Sequence, residues 1–280
     1  MKNSWLISIV TVVFNNSNGL NKTIQSIKEQ HYNRLEYIVM DGGSTDSTIE
    51  VIDKERKSIS FYLSEQDDGI YDAMNKGLNY CNGDFVLFLN AGDCFASPTS
   101  LSEFVSQIKD ANTIYFGKAK IHNHKTIWFY PPHTVNNQEN AIKWANKYLP
   151  NHQTMLFPKS FYAFNKFNTI FQIVGDTDYK IRAIKNNNLV FLDTVLTNFE
   201  LGGISSRFEH LPTVVRQFKE YIMIANIHYK DNTFYRIVKY LMALKFIFKY
   251  IINKLFGIER FYKSLKLFTT FRDKLLFICF

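Results

Sequence analysis

Cysteine is scarce in this chain: Cys81, Cys94 and Cys279 are the only three in 280 residues. No two stand at a metal-binding spacing, and three residues build no disulfide framework, which suits a reducing compartment. Also missing are Gly-x-Gly-x-x-Gly and Gly-x-x-x-x-Gly-Lys-Ser/Thr, which argues against dinucleotide and P-loop sites. The N-terminal apolar run to Phe14 carries one lysine but is followed by no small-residue cleavage site. It reads as a first strand rather than a secretory leader. A long uncharged apolar run is missing as well. The C-terminal apolar stretch is interrupted by Lys245 and Lys249, which would lie in mid-bilayer, so a transmembrane span is disfavoured.

The formal charge of +8 is unevenly placed. Residues 235–280 hold ten of the 33 Lys and Arg but two of the 25 Asp and Glu, leaving the preceding 234 residues neutral. A nucleic-acid binder concentrates cations around its binding face. A neutral body with a basic tail instead suggests two parts with two tasks, and no nucleic-acid partner. At 46% hydrophobic, the chain can bury one substantial core, or a core with an appendage.

What is present is an alternation of strands and helices. Leu6–Phe14, Leu35–Met40, Ile59–Leu63 and Phe85–Leu89 read as strands. Helices are expected after Asn21 as cap, after Ser47 in a capping-box spacing with Glu50, and from Asp72 to Tyr80. This order predicts an α/β fold with a parallel sheet. The second strand ends at Asp41 and the fourth at Asn90-Ala-Gly-Asp93. Both loops should lie on the carboxyl edge of the sheet, where open α/β proteins bind ligands. Asn, Gly and Asp are also ordinary turn residues, so the loops alone do not decide.

Four motifs together are more specific: Thr11-Val-Val-Phe-Asn15, Asp41-Gly-Gly-Ser-Thr-Asp46, Asp72-Ala-Met-Asn-Lys-Gly77 and Asn90-Ala-Gly-Asp93. In order and spacing the chain resembles family 2 glycosyltransferases over roughly residues 5–205. The branch it resembles builds bacterial cell-surface polysaccharides and glycolipids, and also carries elements like Asn151-His152-Gln153 and Gly202-Gly-Ile-Ser205. The resemblance implies a GT-A fold, a Rossmann-like, mostly parallel sheet flanked by helices. It also implies inverting transfer of a hexosyl or N-acetylhexosaminyl group from a UDP-type nucleotide-diphosphate sugar donor. Thr11, Phe14 and Asn15 would line the base pocket, and Asp41 would contact the base. Asp72, Asn75 and Asn90 would face the nucleotide. Asp93 would bind Mg²⁺ or Mn²⁺ on the diphosphate, and Asp176 would be the general base. His152 and Gln153 would contact acceptor or phosphate. Two positions depart from the family pattern: Asn90 stands where an acidic residue is common, and Gly42 where many relatives have a second Asp.

Most of these residues also have a plainer use. Asp176 can cap a helix over Thr177–Ala183, Asp178 suits a first turn, and His152 can be a satisfied structural histidine. Asp72 and Asn75 can support their helix, Lys76 can be a surface cation, and Asp67-Asp68 can be a solvated turn. Two other functional classes stay open. A sugar-phosphate nucleotidyltransferase would place cations in the loop after the first strand, and Asn15-Asn-Ser-Asn-Gly19 has none. A non-catalytic binding protein of the same fold would tolerate Asn90.

The chain divides on this reading into a catalytic domain at 1–220, with donor and acceptor halves meeting near residue 95, and a helical segment at 221–280. Tyr235–Phe256 reads as one helix. Ile237, Tyr240, Leu241, Leu244, Ile247, Phe248, Ile251 and Leu255 share its apolar face, and Arg236, Lys239, Lys245, Lys249 and Lys254 lie on the other half. Such a basic amphipathic extension fits an anionic membrane surface. Packing on the body or a homodimer contact is the alternative use. The expected location is cytoplasmic, peripheral to the inner face of the membrane, with a saccharide or lipid-linked acceptor.

Overall fold

The computed structural model describes residues 5–122, 127–200, 210–233, 236–237, 239–241, 243–244, 246–248 and 250–255. The chain forms two compact units, Met1–Leu201 and Gly202–Phe280. The Gly202-Gly-Ile-Ser205 element and the basic stretch beyond 255 lie outside the described residues.

In the first unit, β1 (Ile7–Val13), α1 (Ser17–Lys28), β2 (Leu35–Asp41), α2 (Thr48–Lys54), β3 (Phe61–Ser64), α3 (Ile70–Leu78) and β4 (Phe85–Phe88) follow one another. These strands lie parallel in the order β3-β2-β1-β4. The chain builds outward from β1 on one side, then returns to its other side. The β1–β4 crevice is therefore a topological switch point, where the loops diverge and leave room for a ligand.

The second half departs from the parallel expectation. After β5 (Cys94–Phe95) and α4 (Ser100–Val105) come β6 (Ile114–His122), β7 (Ile127–Tyr130), α5 (Gln138–Tyr148), β8 (Met155–Pro158), α6 (Lys159–Tyr162), α7 (Gly175–Asn186) and β9 (Leu189–Glu200). Here β8 runs antiparallel to both β4 and β6, β9 parallel to β6, and β5 antiparallel to β9. The sheet is thus mixed, and β8 joins the halves.

Period-2 alternation sorts the apolar residues to two faces, because successive strand side chains point oppositely. Val10, Val12, Ile38, Met40, Val86 and Phe88 pack with Tyr71 and Met74 of α3 and Tyr179 of α7. Ile7, Ile9, Val13, Val39, Leu87 and Leu89 pack with Leu20, Ile24 and Ile27 of α1 and Phe104 of α4. Much of the aromatic content gathers on the first face, where Phe88, Phe157, Phe161 and Phe167 surround Tyr179. Each such buried side chain contributes roughly 1.5–3 kcal/mol by leaving water.

Local details correct the expected helix starts. Asn16, not Asn21, caps α1 by accepting from Gly19 N at 3.1 Å. At α2, Ser47 makes no side-chain cap; Asp46 accepts from Thr48 N instead, at 3.0 Å. Asp176 lies inside the first turn of α7 rather than capping it.

Gly83 ties β4 to β1 at the opposite edge, donating to Ser8 Oγ at 2.9 Å. A Cβ there would fall 2.6 Å from Ser8 N and 2.8 Å from Phe85 O, both backbone atoms that cannot swing aside. Gly83→Ala is expected to lower the unfolding free energy by about 1–3 kcal/mol in urea denaturation. An unchanged midpoint would contradict this packing.

Candidate active site

At the carboxyl edge of β1, β2 and β4, three loops are stitched to one another. Asn15, at φ 48°, accepts from Thr45 N at 2.8 Å, and its own N–H donates to Ser44 Oγ at 2.8 Å. Asn16 Nδ2 donates to Ala91 O at 3.2 Å, joining the first loop to the fourth-strand loop. Gly92, at φ 108°, donates to Thr23 Oγ1 at 3.0 Å. The loops thus form one rim, from which Phe14 stands out with 62% exposure.

Several expected contacts are already committed inside the protein. Thr11 is fully buried, and its hydroxyl donates to Leu89 O at 2.6 Å, tying β1 to the end of β4. Asp41 takes Ser44 Oγ on Oδ1, and Ser44 N (3.0 Å) and Ser64 Oγ (2.6 Å) on Oδ2, so its carboxylate closes its own loop. Asp72 pairs with Lys76 at 3.1 Å, and Lys76 also with Glu65 at 2.7 Å. Asn75 donates to Phe167 O and accepts from Phe167 N, at 2.9 and 2.7 Å, so it holds the 163–171 loop. The side chains of Thr11, Asp72 and Asn75 thus each have a partner within the protein, the supporting use described above for Asp72 and Asn75.

Asp67 was not expected. The Cβ position of Gly42 lies 2.5 Å from Asp67 Oδ2, so the small residue makes room for that carboxylate. The carboxylate of Asp67, which accepts from Gly69 N at 2.9 Å, thus lies beside position 42. The signal in the sequence was Asp67-Asp68-Gly69 beyond the strand's carboxyl end.

The other expected residues converge. Asn151 accepts from Gln153 N at 3.0 Å and so caps the 3-10 turn His152–Thr154 just before β8. Successive residues of that turn reach opposite ways. Gln153 Nε2 donates to Asp93 Oδ2, both residues being buried. His152 Nδ1 lies 3.4 Å from Asp176 Oδ2, which also takes Lys180 Nζ at 2.8 Å. Gly175 lets α7 start flush against Tyr71, where a Cβ would fall 2.8 Å from the ring, and Tyr71 Oη sits 3.5 Å from Asp176 Oδ1. Asp93, Gln153, His152, Asp176 and Lys180 form one connected row. Two buried atoms of this row, Gln153 Oε1 and His152 Nε2, have no hydrogen-bond partner, nor does Asn90 Oδ1 in the loop of Asp93. Buried polar atoms are rarely left unpaired. A ligand at this edge would satisfy them.

Burial would raise the carboxyl of Asp176, but Lys180 and His152 outweigh it and hold the group well below the usual carboxylate range. Asp176 thus stays ionised throughout the neutral range. Among the described residues, no three His, Cys, Asp or Glu side chains gather as a metal cluster.

This rim on a mixed α/β sheet, with an acidic strand-end loop at the switch point, has the architecture of the GT-A fold. Residues 8–174 match the family model described as glycosyl transferase family 2, and the chain belongs to that family. It is 28% identical over 209 residues to an uncharacterized glycosyltransferase of Mycobacterium tuberculosis, covering 72% of this chain and 78% of that protein. It is 24% identical over 211 residues to a PGL/p-HBAD biosynthesis glycosyltransferase of the same species, covering 72% and 79%. Among solved structures, Staphylococcus aureus TarS 1–349 in complex with UDP-GlcNAc superposes with a TM-score of 0.61 at 18% identity, over 79% of this chain and 65% of that one. The mannosyltransferase PcManGT from Pyrobaculum calidifontis, in complex with GDP-Man and Mn²⁺, superposes with a TM-score of 0.58 at 15% identity, over 96% and 81%. Membership of this family sets the nucleotidyltransferase reading aside.

Lys180→Met is expected to lower the unfolding free energy at pH 7 by about 1–3 kcal/mol, the scale of a hydrogen bond to a charged group. A carboxylate with a lowered folded pKa stabilises above its unfolded pKa of about 3.9, and that stability is lost as pH falls through the folded value. The gap between variant and wild type should therefore narrow from pH 7 to pH 3 in urea titrations. A gap that widens in acid would contradict the pairing.

Proposed function

We propose that this protein transfers a sugar, with inversion, from a nucleotide-diphosphate donor to a hydroxyl of a membrane-held saccharide or lipid-linked acceptor in surface-glycan synthesis. The carrying observation is the row that joins Asp93, at the switch-point crevice, to Asp176 through His152 and Gln153. One end suits a diphosphate, the other an attacking hydroxyl. The sugar nucleotides bound by TarS and PcManGT support this donor class, and the PGL/p-HBAD biosynthesis relative supports a role in glycan biosynthesis. A uridine donor is our specific reading, with the exposed Phe14 ring as a stacking surface for the base.

The residues present fit a hard divalent cation. Asp93 brings one carboxylate, and Asn90 brings a buried amide oxygen with no other partner. Oxygen donors of this kind, completed by diphosphate oxygens, are what Mg²⁺ and Mn²⁺ take. Bound there, a cation supplies Lewis-acid stabilisation to the departing diphosphate. The chain's own contributions are distinct. Gln153 orients Asp93, the stitched rim keeps the three loops in register, and the Asp176–His152 pair receives the proton of the acceptor hydroxyl. General-base help of this sort is worth typically about 10²–10⁴-fold in rate.

A thermal-shift screen of UDP, UDP-N-acetylglucosamine and GDP-mannose, with and without Mn²⁺, tests the donor class. A ligand at a hundredfold its Kd stabilises the native state by about 2.7 kcal/mol. We expect one nucleotide to raise Tm in wild type and to lose most of that effect in Asp93→Ala. No shift with any of the three contradicts the proposal.

In the second unit, α8 (Leu211–His228) is followed by described residues of 236–255 that are helical. This later helix buries Ala243 and Phe246, the latter stacked on Tyr221 of α8 at 4.9 Å. Its other side leaves Ile237, Leu241, Leu244, Phe248, Ile251 and Leu255 between 42% and 68% exposed. No helix among the described residues is long and apolar enough to cross a membrane. An exposed apolar stripe on a segment this basic supports in-plane binding to an anionic leaflet on the cytoplasmic side. The full chain should pellet with phosphatidylglycerol-containing vesicles, and a Leu244→Asp, Phe248→Asp double variant should stay in the supernatant. Equal pelleting of both would reject membrane docking through this stripe.

A further inference from the structure

Two groups in the row are able to receive a proton, and their surroundings differ. Asp176 Oδ2 is shared by Lys180 Nζ and His152 Nδ1. The facing group on Oδ1 is the Tyr71 hydroxyl, 3.5 Å away. A carboxylate stabilised in this way stays ionised but is a weak proton acceptor, since basicity falls with pKa. His152 is oriented the other way round. Its Nδ1 side faces the carboxylate, and its Nε2 is buried with no partner. In a neutral imidazole that gives Nδ1–H to a carboxylate, the lone pair lies on Nε2.

We propose that His152 Nε2 is the atom that takes the proton from the attacking hydroxyl, with Asp176 as its positioning residue. This rests on the glycosyl-transfer reading above and changes which atom touches the acceptor. The acceptor's O–H bond breaks and the proton passes to Nε2. The oxygen's electron pair forms the new bond to the anomeric carbon. The bond from that carbon to the β-phosphate oxygen breaks, and its electron pair leaves with the nucleoside diphosphate. The imidazolium so formed lies against the Asp176 carboxylate, which stabilises it. The logic is that of a hydroxyl, histidine and carboxylate in series, the acceptor hydroxyl standing where a hydrolase has its serine. The 3.4 Å separation of His152 and Asp176 is long for a hydrogen bond, and such catalytic contacts tighten when substrate binds.

The other charged groups around the turn are already engaged. Asp93, in the loop after β4, takes Gln153, and Lys118 of β6 pairs with Asp193 of β9. Lys180 is directed to Asp176. Asp176 is therefore the group that sets the tautomer of His152.

The test uses the full chain labelled with ¹⁵N-histidine, in long-range ¹H–¹⁵N correlation spectra across pH 5.5–8.5. The His152 signals are identified by their loss in His152→Gln. We expect the neutral ring as the Nδ1–H tautomer in wild type and as the Nε2–H tautomer in Asp176→Asn. Kinetics follow release of UDP from UDP-N-acetylglucosamine, or of GDP from GDP-mannose, with water as acceptor. His152→Gln should lower kcat by about 10²–10⁴-fold with the donor KM and Tm preserved. The wild-type fall in kcat at acid pH should share its midpoint with the His152 titration and vanish in the variant. An Nε2–H tautomer in wild type, or an acid limb that survives in His152→Gln, overturns the assignment. Failure to bind or turn over either donor overturns the transfer reading instead, and the catalytic role with it, whichever tautomer is found.

Discussion

The site depends on one short turn. Asn151 folds the backbone so that His152 and Gln153, neighbours in sequence, reach Asp176 and Asp93 on different elements. The turn thereby links the carboxylate at the end of β4 to the carboxylate on α7. The turn is held in place by β8, the strand that pairs with β4 on one side and β6 on the other. Sheet closure and placement of the turn are therefore the same event. The Phe and Tyr cluster around Tyr179 has a matching role, because it fixes the helix that carries Asp176.

Much of the donor half was legible in the sequence. Buried parallel strands are continuous apolar runs, and their ends are marked by a sudden change to Asn, Gly and Asp. That is why β1, β2 and β4 were placed to within a residue and why Asp93 stood out. The second half was less legible. Its strands pair in both directions, and pairing partners are set by tertiary contacts that leave no periodic trace. The row from Asp93 to Lys180 could not be read at all from spacing, since its members meet through space.

Residue type alone does not show whether a polar group is free to bind. Asp41, Asp72 and Asn75 have the residue types of a binding site, but a polar side chain at a sheet edge can also satisfy its own loop. Asp41 has three donors within its immediate surroundings, and Asn75 has a complete pair of bonds to Phe167. Sequence shows that such a group is polar and near the edge, not whether its bonding capacity is spent. Asp67 is the reverse case. Its place beside Gly42, which has no side chain, is visible only when the two loops are seen together.

The pairing of β5 with β9 and of Asp93 with Gln153 has a consequence for how the protein comes into being on the ribosome. The four parallel strands are all synthesised within the first hundred residues of a compact unit that runs to Leu201. At that stage the Asp93 carboxylate has no amide to meet it, β4 has an open edge, and α7 does not yet exist. Synthesis of β8 covers that edge and brings the turn with Gln153, and α7 then adds Asp176. A nascent chain thus loses the exposed edge of β4 before it gains the carboxylate on α7.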